Sequence, residues 1–143
     1  MTTAASTTLP ATRPAGRRRP AVVAGWLVTG LVAAFLTFDA VIHLLNVPAA
    51  REGSLRLGFD PGLAPFMGSV EIVFLALYLY RRTSVLGAVL LSTYLGGAFT
   101  AQLRVDAPLF STLLFPVYTA LFVWAGLWLR DPAVRAILPL RRD

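Results

Sequence analysis

The chain has 143 residues, of which 57% are hydrophobic and only 14% are charged, whereas a soluble domain carries about 25% charged residues. It has no cysteine, which excludes disulfides, thiolate metal sites and CxxC redox chemistry on this chain. Its single histidine excludes bis-histidine haem ligation within one chain. The composition therefore predicts an integral membrane protein.

The chain starts with a polar segment that is rich in Thr, Ala and Pro and ends in an arginine cluster. Such a segment has too few apolar side chains to bury a core, so we expect a disordered basic tail over residues 1–20. A long apolar stretch follows, and it predicts a first spanning helix over residues 21–45.

The outer end of this first helix carries a polar stripe. Asp39 and His43 are spaced i and i+4, and Asn46 follows three residues later. At about 100° per residue the three side chains share one helical face. A lone ionisable group near the middle of a bilayer costs roughly 2.5–3.5 kcal/mol on insertion scales. We therefore expect the stripe to face protein or a wet cavity.

A long connection leads to a second spanning helix, predicted over residues 61–80. Asp60 followed by Pro61 indicates the N-cap and the first helical position. Glu71 is the one charged residue inside this helix, and its depth is comparable with that of the polar stripe. The short turn that follows predicts an antiparallel neighbour.

A third spanning helix is predicted over residues 84–103. The Gly96-Gly97 pair is expected to permit the close approach of another helix, as small residues do in membrane proteins. At its outer end, Gln102 and Arg104 reach the level of the polar stripe.

A fourth spanning helix is predicted over residues 107–129, with Asp106 as its cap. Pro116 should kink this helix or free a carbonyl one turn earlier, because proline has no N–H and its ring clashes with the preceding turn. The remaining residues, 131–143, predict a short amphipathic tail at the membrane surface.

The distribution of the arginines indicates the orientation of the bundle in the membrane. All 13 basic residues are arginine; ten fall on the side that carries both termini and three fall on the other. The positive-inside rule then places both termini in the cytoplasm. We predict an all-α, antiparallel four-helix integral membrane bundle in a bacterial-type inner (plasma) membrane. Because topology accounts for the +6 net charge, nucleic-acid binding is not expected.

The chain resembles the DoxX-like family of small four-helix membrane proteins. The resemblance covers roughly residues 25–140 and rests on the end of the first helix that bears His43 and on residues 57–61, 68–71, 82–88, 94–98, 103–104, 108–111, 114–116 and 124–127. One departure is Arg81, which stands where the family pattern has proline. The family name comes from a protein associated with quinone-linked thiosulfate oxidation, so the resemblance implies the architecture and an association with quinone chemistry.

Three functions from different classes fit these observations. The first is an accessory subunit that binds a quinone or another lipid in a polar pocket in the outer half and supports a separate redox enzyme. The second is an isomerase-like enzyme that transfers protons on a sterol or other lipid. The third is a structural or assembly protein in which the polar stripe is an ion-pair clasp. Whether the chain is an enzyme stays open.

The candidate catalytic residues are His43, Glu71 and Asp39, because a histidine beside a carboxylate can relay protons near neutral pH. Glu71 can instead pair with Arg104 or stay neutral, since burial disfavours the charged form. No metal is assigned, although hard or borderline ions accept two carboxylates and one histidine. The candidate ligand-binding residues either lie on the same helical face as one of the residues at this level or reach the same depth in the membrane. They are Gln102, Arg104, Tyr78 and Thr100.

Overall fold

The computed structural model describes residues 18–138. Nearly all of the predicted N-terminal tail and the last five residues of the predicted C-terminal tail lie outside this range. Within it the chain is helical and contains no strand, which confirms the all-α prediction. The helices are α1 (Arg18–Leu44), α2 (Pro48–Arg56), α3 (Ala64–Leu79), α4 (Ser84–Arg104), α5 (Phe115–Arg130) and α6 (Pro132–Ile137).

Four of these helices form an antiparallel bundle. Each of α1, α3, α4 and α5 packs against the next in the chain, and α5 returns to α1 and closes the ring. We call the end that carries Arg18 and Arg130 the inner end, following the predicted orientation, and the opposite end the outer end. The buried apolar core fills mainly the inner half, where Leu75, Leu91 and Leu127 pack together.

The outward faces of the bundle are apolar. The four spanning segments, which include short turns before α3 and α5, are 19 to 25 residues long. At about 1.5 Å per residue they cover roughly 28–38 Å, enough to cross a hydrocarbon core of about 30 Å. Large side chains such as Leu27, Leu31, Phe66 and Phe110 are exposed along them. An aqueous protein rarely exposes so much apolar surface, so these faces meet lipid.

Residues in the left-handed conformation end three of the helices. Asn46 (φ 48°), Gly58 (φ 77°) and Asp106 (φ 49°) follow α1, α2 and α4. In each case the amide of the next residue bonds back to a carbonyl five residues earlier, which is the Schellman pattern. Asp106 therefore ends α4, and its predicted role as the cap of the next helix is wrong.

The N-terminal turn of the second span agrees with its sequence prediction. The Asp60 carboxylate accepts a hydrogen bond of 2.7 Å from the amide of Gly62. Pro61 begins a 3-10 turn (Pro61–Leu63) that leads into α3. The carboxylate thereby satisfies one of the free donors at this helix start.

Proline also shapes the last span as predicted. Leu109–Leu113 form a wide π turn in which the amide of Leu113 bonds to the carbonyl of Pro108 at 3.0 Å. The regular helix α5 begins only at Phe115, with Pro116 in its first turn. Since Pro116 lacks an amide donor, the chain starts a new helix there.

The close helix contact falls at a different glycine from the one predicted. Among residues 18–138, nothing lies within 4 Å of where a Cβ would stand at Gly96 or Gly97, so the predicted helix contact at that pair is wrong for this part of the chain. At Gly68 on α3, a Cβ would stand 2.6 Å from the carbonyl oxygen of Ala40 and 2.9 Å from the amide nitrogen of Leu44. The missing side chain lets α3 lie directly against α1.

Replacing Gly68 by alanine is therefore expected to force α1 and α3 apart and to lower the free energy of unfolding by about 1–3 kcal/mol, as overpacking does elsewhere. Gly96→Ala is the matched control. Its open surroundings predict no loss, and a gain of about 0.5–1 kcal/mol from reduced backbone entropy. Unfolding of both variants in mild detergent measures the difference, and equal stability would contradict the assignment of this contact.

Candidate functional site

The contact at Gly68 brings three ionisable side chains together in the outer half of the bundle. Asp39 and His43 lie on α1, and Glu71 lies on α3, one helical turn below Gly68. One donor atom from each of the three side chains lies within 4.8 Å of the others. The structure thus joins the three residues that the sequence singled out as candidate catalytic groups.

Asp39 and His43 form the more accessible part of the cluster. The Nδ1 atom of His43 lies 2.9 Å from the backbone carbonyl oxygen of Asp39 and 3.4 Å from its carboxylate oxygen Oδ2. A carbonyl oxygen only accepts hydrogen bonds, so Nδ1 carries a proton and Nε2 is left for another partner. The two side chains are 22% and 34% exposed for His43 and Asp39, respectively. A group in the surrounding membrane can therefore reach them.

Glu71 forms the buried part of the cluster. Its side chain is 1% exposed, and its oxygen Oε2 has no hydrogen-bond partner among residues 18–138. The carboxylate of Asp39 on α1 and the phenol of Tyr94 on α4 both face this carboxyl. An unsatisfied buried polar atom costs about 1–3 kcal/mol, and most proteins avoid it. This carboxyl is therefore costly to the fold, which points to a partner or a function outside the fold itself.

The other predicted residues at the outer level do not join the cluster. The Arg104 guanidinium donates a hydrogen bond to the carbonyl oxygen of Leu57, and its side chain is exposed. Among residues 18–138, the side chains that form an ion pair are those of Asp39 and His43. Arg104 does not pair with Glu71, so that alternative from the sequence is wrong. Thr100 is exposed, and its hydroxyl donates back to its own helix. Gln102 is half-buried, and its backbone carbonyl accepts the amide of Ala107 where α4 ends.

Tyr78, also a predicted ligand-binding residue, lies in the inner half, about two helical turns from Glu71. Its side chain is fully buried. Its hydroxyl donates to the carbonyl oxygen of Val123 at 2.9 Å and lies 3.4 Å from the Thr29 hydroxyl. Tyr78 therefore ties α3 to α5 across the core, away from the outer cluster.

Tyr94 is not among the residues that the sequence predicted for the site, yet the structure places its phenol beside Glu71. The available signal was the position of Tyr94 on α4, about three helical turns before Arg104, on the helix that follows α3 in the chain. That signal is weak, because which face of α4 meets Glu71 depends on how the helices pack. Side-chain type alone does not separate Tyr94 from the tyrosines at the membrane interface.

The cluster has the ligand types of a divalent-metal site. Two carboxylates and one imidazole suit hard or borderline ions. Bonds of about 2.0–2.2 Å, however, hold donor atoms no farther apart than roughly twice that length. The observed spread of up to 4.8 Å means that the side chains would have to draw together around an ion. Metal binding thus fits the residue types better than it fits their present spacing.

Taken together, the four apolar spans around a buried polar cluster define a small multi-pass integral membrane protein. The model of the DoxX-like family matches residues 27–126, which is more than half of the chain and includes the whole cluster. The chain belongs to the DoxX-like family. Neither the curated proteins nor the solved structures that were compared with it gave a match.

Proposed function

We propose that the protein binds a quinone, or a lipid with a similarly polar head, at the cluster of Asp39, His43 and Glu71. In this role it is an accessory subunit of a separate membrane redox enzyme. The observation that carries the proposal is the fully buried carboxyl of Glu71, whose oxygen Oε2 has no partner in the described part of the chain.

The hydrogen-bonding chemistry of the cluster suits both forms of a quinone. A quinone carbonyl accepts hydrogen bonds, and a quinol hydroxyl also donates one. The imidazole Nε2 of His43 is an acceptor when the ring is neutral and a donor when it is charged. The carboxyl of Glu71 has the same dual capacity, since only its protonated form donates. A head group at this point therefore finds complementary partners in either oxidation state.

The apolar part of such a ligand also has a place to lie. Phe35 precedes Asp39 by one helical turn and is 38% exposed. Its ring meets that of Phe115 on α5 edge to face, with the centroids 5.2 Å apart. A ligand whose head reaches Asp39 and His43 from the bilayer can rest its tail deeper along these exposed rings. This arrangement matches an amphipathic lipid better than a small polar solute.

The accessory role follows from the composition. The chain has no cysteine and one histidine, so it lacks the residues that usually hold an iron–sulfur cluster or a bis-histidine haem. Electrons would therefore pass between the bound quinone and a partner enzyme. The distribution of the arginines supports a bacterial-type plasma membrane, with the inner end of the bundle in the cytoplasm.

Native mass spectrometry with lipid extraction tests the proposal on protein purified in mild detergent. We expect wild type to retain a quinone and Glu71→Gln to bind it about tenfold more weakly or worse, the equivalent of ~1.4 kcal/mol for one buried hydrogen bond to a charged group. Glu52→Gln, an exposed glutamate of α2, is the control and should behave like wild type.

The same spectra separate the competing outcomes. Bulk phospholipid alone in all three proteins would overturn the proposal. A bound metal ion that disappears in Glu71→Gln would replace it with metal binding, the second function that the donor set allows.

A further inference from the structure

A second polar centre lies at the inner end of the bundle, around Arg130. Its guanidinium carbon lies 4.7 Å from the ring centroid of Trp26 and 4.7 Å from that of Tyr78. Its nitrogen Nη2 donates to the carbonyl oxygen of Tyr78 at 2.9 Å. The other terminal nitrogen, Nη1, is buried and has no hydrogen-bond partner among residues 18–138. The side chain is thus held firmly by the fold while part of its donor capacity is unused.

The charge of Arg130 is not neutralised within the described part of the chain. No carboxylate there lies within 4.0 Å of its guanidinium, since the recorded ion pair is the one between Asp39 and His43. The adjacent acid, Asp131, accepts a hydrogen bond of 2.9 Å from the amide of Ala133 and caps α6. Cation–π contacts offset part of the cost of a half-buried cation, but a buried charge is ordinarily paired. Among residues 18–138, Arg130 therefore forms no ion pair, although Asp131 is near enough to act on it through its charge.

A cavity of about 260 Å³ opens beside Arg130. It lies between the start of α1, the turn from α3 to α4 and the end of α5. Its apolar wall includes Val22 and Leu79; its polar wall includes Arg81, Ser84 and the acidic residue Asp131. At about 30 Å³ per water molecule, this volume corresponds to roughly nine waters. The volume is small for a drug-sized ligand, which occupies about 300–1,000 Å³, but it is sufficient for a compact anionic head group.

The start of α4 adds to the positive field in this cavity. Ser84 is the first residue of α4 and lines the cavity, and no side chain caps the first turn of the helix. The hydroxyl of the preceding Thr83 instead donates to the carbonyl oxygen of Leu77 at 2.8 Å. Free amides and the positive end of the helix dipole therefore act together with the two arginines in favour of an anion. They outweigh the single carboxylate in the wall, Asp131, whose oxygen Oδ1 already accepts the amide of Ala133.

We propose that this inner cavity binds a phosphate group, with Arg130 and Arg81 as the cationic ligands. Its depth in the bundle corresponds to the head groups of one leaflet, and the partly exposed indole of Trp26 suits that level. The expected source is an anionic phospholipid of the leaflet at the inner end. The site is separate from the outer cluster, and it stands whether or not the protein binds a quinone.

Arg81→Gln tests the site with little effect on the fold, because Arg81 is exposed and its side chain forms no ion pair among residues 18–138. Arg82→Gln is the matched control, since Arg82 is the adjacent exposed arginine and does not line the cavity. The three proteins are released from nanodiscs of equimolar phosphatidylglycerol and phosphatidylcholine, and the retained lipid is counted by native mass spectrometry. We expect wild type to retain phosphatidylglycerol selectively. Arg81→Gln should bind it about fivefold more weakly, which corresponds to about 1 kcal/mol per interfacial arginine.

A second arm distinguishes the source of the phosphate. Inorganic phosphate is titrated into the detergent-solubilised proteins, and the melting temperature is followed. A rise in wild type that is lost in Arg81→Gln, without selective lipid retention, would support the site with free phosphate as its ligand. Absence of both effects would overturn the proposal. Equal losses in Arg81→Gln and Arg82→Gln would also overturn it, because they would indicate a diffuse surface charge.

Discussion

Replacing Tyr78 by alanine is expected to lower the free energy of unfolding by about 3 kcal/mol. In a bilayer the lipid is as apolar as the core, so the loss comes from packing and hydrogen bonding. The void left by the ring accounts for about 2–3 kcal/mol at ~24 cal/mol per Å³. The lost hydrogen bond to Val123 adds about 0.6 kcal/mol, the average for membrane proteins. Unfolding in mixed detergent micelles measures the change.

Tyr78→Phe separates the hydroxyl from the ring. It keeps the aromatic face beneath Arg130 and removes only the hydrogen bond, so we expect a loss of less than about 1 kcal/mol. Because Tyr78 is two turns away from Glu71, this variant should leave ligand binding at the outer cluster unchanged. If Tyr78→Phe loses that binding, then Tyr78 is a ligand-binding residue after all, as the sequence had predicted.

The second large effect has the opposite sign. Replacing Glu71 by leucine, which has a similar volume, is expected to raise the free energy of unfolding by about 1–3 kcal/mol, because it removes a buried oxygen without a partner. The same variant should lose the ligand retained by wild type. Stability and function would then change in opposite directions, as they do where a binding site is maintained at the expense of the fold. Glu52→Leu on the surface of α2 should change stability by less than about 0.5 kcal/mol.

This measurement also decides between the proposed binding site and an ion-pair clasp. If Glu71 locks α1 to α3 through Asp39 and His43, then its removal leaves the remaining groups unpaired. Breaking a buried pair in that way costs about 3–5 kcal/mol. A fall in stability of that size, with no change in any bound species, would support the structural function and contradict quinone binding.

The two proposed sites divide the bundle by depth. Apolar side chains fill the space between them, so the outer carboxyl and the inner guanidinium do not neutralise each other. At the outer end an oxygen of Glu71, and at the inner end a nitrogen of Arg130, has no hydrogen-bond partner among the described residues. A membrane protein with such ends is suited to hold lipid head groups at both levels.

The amino-acid sequence is sufficient to predict the class of protein and most of its local structure. Length and hydropathy are local properties, so the four spans, the cap at Asp60 and the interruption at Pro116 were predictable. Helical periodicity also placed Asp39 and His43 on one face, because residues four apart on a helix are always neighbours.

Which residues meet across helices depends on the tertiary structure. The approach of α1 to α3 depends on Gly68, whereas the more conspicuous pair Gly96-Gly97 faces open space. Tyr78 and Arg104 share a helical face or a level with Glu71, yet one lies deeper and the other bonds to a loop carbonyl. Rotation of each helix about its own axis sets these contacts. That rotation results from packing over the whole bundle, and in an apolar membrane span the sequence period specifies it only weakly.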